Sequence, residues 1–125
     1  MTAGPERGLV ERQASASVVL VLTTIAADDD PDMLAVTLVE EHLAACVTVL
    51  PGATSVYRWD GAVEMSAEQQ LVIKTTAAQL EALQARLLEL HPYDVPEMLV
   101  LSAVEAVGAY GDWLLGAVTR PVGDG

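Results

Sequence analysis

The run His91-Pro92-Tyr93-Asp94-Val95-Pro96-Glu97 sets an imidazole, a phenol and two carboxylates side by side. Imidazole titrates near neutrality and ligates metal, and carboxylates accept cations or protons, so this stretch has the chemistry of a metal or proton site. His91 also reads as a helix-terminal histidine that interacts with the dipole, and the residues alone leave both readings open. Pro92 and Pro96 each remove a backbone donor and push the preceding residue out of helical space. The run is therefore extended and stiff, and it joins a leucine-rich helix to the apolar run that starts at Met98.

Cys46 is the second candidate. A thiolate suits soft metals such as Cu(I), whereas a cysteine between Ala45 and Val47 also reads as a small buried hydrophobe. His42 lies near the end of the first helix, where the dipole reading is the better one. Asp28-Asp29-Asp30 resembles a metal loop, but its place just before Pro31 makes Asp30 a helix cap. Lys74 stands in the apolar centre of a strand, so it calls for an anionic partner, with Glu68 and Glu97 as the plausible ones. It is either half of a structural ion pair across a subunit interface or the ligand of a small anion. Tyr57, Trp59 and Trp113 read as packing or interface aromatics.

No catalytic constellation appears. There is no asparagine, no glycine-rich phosphate loop, no nucleophile elbow and no CxxC pair, and the histidines lack zinc-ligand spacing. A formal charge of −12 repels phosphate backbones, which argues against a nucleic-acid partner. One cysteine cannot build a disulfide framework and fits a reducing compartment. No apolar run approaches the ~18 residues of a membrane-spanning helix. These features predict a cytoplasmic, non-enzymatic protein without an organic cofactor.

The elements that position these residues follow from periodicity. Residues 1–16 read as a disordered leader, 17–119 as one domain and 120–125 as a flexible tail. Val18 to Leu22, continuing into Thr23-Thr24, is a β-branched run for a strand buried on both faces. A helix starts at Pro31 and carries an apolar stripe to about Ala44. Ala45 to Trp59 forms a strand bent at Pro51-Gly52, Asp60-Gly61 signals a hairpin, and the return strand runs from Ala62 to about Thr75. Thr76 and Gln79 have capping-box spacing before a helix with Leu80, Leu83, Leu87 and Leu90 on one face. Met98 to Val104 is the fourth strand, and Tyr110 to Val118 a terminal helix. The order predicts an α+β, ferredoxin-like antiparallel sheet with a long β2-β3 hairpin, a C-terminal helix and both main helices on one face. The other face is left bare, which predicts a homo-oligomer.

Several segments together resemble the CutA family of divalent-cation tolerance proteins: Leu43-Ala44-Ala45-Cys46-Val47, Leu50 to Ser55, Tyr57-Arg58-Trp59-Asp60-Gly61, Ile73-Lys74-Thr75-Thr76, His91 to Glu97, and Tyr110 to Leu114. The resemblance covers about residues 17 to 118. It implies a stable cytoplasmic homotrimer, similar in architecture to the PII signalling proteins, with hairpins that clasp neighbouring subunits. It further implies divalent-metal binding associated with tolerance to copper, with Cu2+ or another divalent cation as the bound species. His91 and Cys46 are the metal candidates. Glu68, Lys74, Tyr93, Glu97 and Trp59 are placed at an inter-subunit cleft, which could instead receive a small anion or a protein partner. Where some members carry a cysteine and a second histidine as copper ligands, this chain has Leu22 and Leu90, and Gln69 replaces a usually apolar residue.

Overall fold

A computed structural model describes residues 18–119, so the expected leader and tail lie outside the described residues. Strand β1 (Val18–Ala26) is longer than its apolar run. Val21, Thr23 and Ile25 are buried on one side, while Leu20 and Leu22 face the other. Helix α1 (Pro31–Glu40) starts as expected, with the Asp30 carboxylate accepting the Asp32 N–H at 2.9 Å. It stops short of the predicted Ala44. His42 takes a left-handed φ of 61°, and the Leu43 and Ala44 N–H groups both return to the Leu38 carbonyl. No glycine marks that stop, which is why periodicity alone overran it.

Strands β2 (Cys46–Trp59) and β3 (Ala62–Thr76) form the long hairpin. Asp60 and Gly61 both have positive φ, 51° and 81°, as the twist of a two-residue turn requires. The ladder shifts register between Leu50 and Ala53, at the expected Pro51-Gly52 break. Beyond that bulge Val56, Trp59, Val63 and Met65 are all more than half exposed, so the arm reaches past the core.

The expected capping box is absent. Thr76 makes no side-chain cap; residues Ala77–Gln79 form a 3-10 turn, and Gln79 sends its amide N–H to the Val118 carbonyl. That contact comes from the far end of the chain, beyond the reach of local spacing. Helix α2 (Leu80–Leu90) follows, then β4 (Leu99–Val104) and α3 (Ala109–Ala117).

The sheet order is β2-β3-β1-β4, with every neighbouring pair antiparallel. This is the split β-α-β, ferredoxin-like arrangement. Val21, Ile25, Leu71 and Ile73 meet Leu34 and Leu38 of α1 and Leu83 and Leu87 of α2 in one core, so both helices cover the same face. On the opposite face, α3 seals only one end, where Leu114 packs on Val18 and Ala45. The remainder presents Leu99 and Leu101, 55% and 46% exposed, beside Leu22 and Leu20.

Candidate functional site

The segment His91 to Glu97 crosses the end of the sheet where β1 finishes and the hairpin arm departs. His91 ends α2 in an extended conformation and is buried, at 8% exposure. Its Nε2 lies 2.9 Å from the Thr24 carbonyl and 3.0 Å from Thr23 Oγ1. Its Nδ1 accepts the Tyr93 backbone N–H at 3.1 Å. A backbone N–H can only donate, so Nδ1 is bare and the neutral ring carries its proton on Nε2, pointed at Thr24. Burial pushes the His91 imidazole below its ordinary range, against opposing pulls from the Thr24 carbonyl, Asp29 and Glu68.

Tyr93 then turns outward. Its ring lies 5.0 Å from that of His91, and its hydroxyl donates to Glu68 Oε2 at 2.6 Å. Burial, then the bond to Glu68, raises the Tyr93 phenol well above its ordinary value, so it stays a donor. Glu68, on β3, is itself 6% exposed. Glu97 is raised above the usual carboxylate range by burial and by the nearby Glu68 charge. Between this segment and the hairpin arm lies a groove of about 820 Å³ whose walls include Tyr57, Trp59, Glu68, Tyr93 and Glu97. Tyr57 is held there by its 2.8 Å contact with Ser66 Oγ.

The fold thus brings Glu68, Tyr93, Glu97 and Trp59 together, but not Lys74 within one chain. Lys74 is six residues from Glu68 on the same strand, roughly 20 Å away at about 3.3 Å per residue. Its ammonium donates to Thr48 Oγ1 at 3.1 Å and approaches Cys46 Sγ at 3.7 Å, so its expected pairing with Glu68 or Glu97 is not made within the chain. Cys46 lies opposite Lys74 in the ladder, and His91 sits at Thr24, which pairs with Gln70. Four residues of strand, roughly 13 Å, separate the two metal candidates. Both ring nitrogens of His91 are engaged, leaving no free lone pair for a metal in this arrangement. Among the described residues no three His, Cys, Asp or Glu side chains converge.

Sequence reasoning missed Thr23 and Thr24, read as the polar end of a strand, as the partners of His91. It also gave Gln69 no role. Gln69 is buried, with its Nε2 2.9 Å from the Asp29 carbonyl, 3.2 Å from that of Ala26 and 3.4 Å from that of Ala27. The signal for it was present: a polar residue at a core-facing position needs a buried partner.

Residues 19–117 match the family described as CutA1 divalent ion tolerance protein. The divalent-cation tolerance protein CutA of Thermus thermophilus is 44% identical over 95 residues, covering 76% of this chain and 92% of that protein. The structure of CutA from Synechococcus elongatus superposes with a TM-score of 0.78 at 44% identity, covering 83% of this chain and 92% of that one. A structure described as the PII-like protein CutA from a Nostoc species superposes with a TM-score of 0.73 at 35% identity, covering 81% and 97%.

Proposed function

The chain belongs to the CutA1 divalent ion tolerance family, and from that premise we propose that it is a cytoplasmic homotrimer holding a divalent cation at Glu68 and Glu97. The observation that carries this reading is the pair of carboxylates in one groove, one buried and held by a phenol, the other raised by burial and by its neighbour's charge. A divalent cation between them would relieve that repulsion. Asp94 also lines the groove, and the Tyr93 oxygen is engaged by Glu68. The remaining ligands would come from water or a neighbouring subunit. Oxygen donors accept many divalent ions, and among the first-row metals Cu2+ binds a given site most strongly, which makes it the natural probe. Trimerisation is supported by the bare leucine face and the projecting arm. The role we assign is non-catalytic, because the buried imidazole is spent on holding the backbone.

Calorimetry with Cu2+ on the wild type and on Glu68→Gln/Glu97→Gln tests the reading. We expect the wild type to bind and the double variant to lose at least tenfold in affinity; equal heats from both would remove the carboxylates from the site. A second reading, a PII-like sensor or scaffold, is favoured by the groove's volume, which falls in the range of organic-ligand pockets. In that case a small anion or partner protein would meet Lys74 across a subunit boundary. Lys74→Gln would then weaken ligand binding and leave the oligomer intact, whereas loss of the oligomer would make Lys74 structural.

A further inference from the structure

We infer that His91 is a positioning residue of the groove, acting through Tyr93 rather than on the ligand. The relay is continuous. Nε2–H is fixed by the Thr24 carbonyl and Thr23 Oγ1 at the end of β1, Nδ1 holds the Tyr93 N–H, and the Tyr93 hydroxyl holds Glu68. The imidazole thereby pins a proline-flanked segment to the sheet by the one backbone N–H beside it, since Pro92 has none to offer. From that pinned position Tyr93 reaches Glu68, and Glu68 is one wall of the groove. The relay requires a neutral ring. A proton on Nδ1 would face the Tyr93 N–H and break the link. The charged groups facing the ring are Asp29, from the loop after β1, and Glu68, from β3; both favour the imidazolium, and burial outweighs them.

The inference rests on the cation reading only for its consequence in binding; the relay itself is read separately. In the wild type, ring-nitrogen NMR should show the Nε2–H tautomer. Hydrogen exchange at neutral pH should show a protected Tyr93 amide, as its bond to Nδ1 requires. His91→Gln places an acceptor toward Tyr93 N–H and a donor toward Thr24 without titrating. It should keep Tyr93 protected and bind Cu2+ within about threefold of the wild type, and His91→Ala should lose both the protection and about tenfold in Cu2+ affinity. An Nδ1–H tautomer, or an unprotected Tyr93 amide in the wild type, overturns the relay. That measurement needs no variant to fold. Loss of Cu2+ binding in His91→Gln with Tyr93 still protected overturns it too, because His91 would then be a direct ligand. If instead the carboxylate double variant binds Cu2+ normally while Tyr93 behaves as expected, the cation reading fails and the relay stands.

Discussion

Glu97 keeps its proton to a higher pH in the folded chain than in the unfolded one, because burial and Glu68 both disfavour its charge. The folded state therefore binds more protons in that window, and stability falls as pH climbs from the unfolded value through the raised one. Glu97→Gln removes this penalty. It should raise the melting temperature at pH 7 and flatten the stability profile above about pH 4.5, the ordinary glutamate range, as thermal scans across pH would show. A lower melting temperature for the variant at pH 7 would mean that the charge of Glu97 has a favourable partner. Gln69 is a second case settled by one side chain. Gln69→Leu keeps the volume but leaves the Ala26, Ala27 and Asp29 carbonyls without their shared donor, and should cost ~1–3 kcal/mol in denaturant unfolding.

At the scale of elements, the hairpin is the part most directly written in local sequence. Asp60-Gly61 fixes the turn, and nothing crowds a side chain built at Gly61, so its requirement is conformational only. Gly61→Ala at φ 81° should cost ~1–2 kcal/mol by the left-handed penalty. Chemical denaturation would read this directly, and an unchanged midpoint would mean that the turn relaxes freely. Helix ends were less legible. The first helix stops at a histidine in the left-handed region, further held by the 3.2 Å contact of His42 Nδ1 with the Ala117 carbonyl of α3. The second begins through a contact with Val118 in place of a capping box. Both boundaries are set by the C-terminal helix, which no window of local sequence contains.

For the whole molecule, a four-stranded sheet with helices on one face must hide the other. Leu20, Leu22, Leu99 and Leu101 line that face, and the hairpin arm carries its apolar residues beyond the subunit. Light scattering should give a mass near three copies of the 13.2 kDa chain. Leu101→Glu would bury a charge in any such interface and should shift the mass toward one copy. A wild-type mass near one copy would leave the bare face unexplained by self-association.

Composition and periodicity determined the strand and helix order, the sheet class, the hairpin turn and the bare face, because each depends on the alternation of apolar residues or on backbone restrictions at proline and glycine. The short run His91 to Glu97 was legible as a stiff connector dense in polar groups for the same reason. Only the tertiary structure decided what its groups do. Whether an imidazole is a ligand or a clamp depends on partners such as Thr23 and Thr24, some 67 residues away in sequence. Whether Lys74 finds Thr48 and Cys46 depends on the register of β2 against β3, which sets Cys46 opposite it. Hydrogen bonds and ion pairs are decided over a few ångströms in space, and sequence spacing fixes such distances only within a single element.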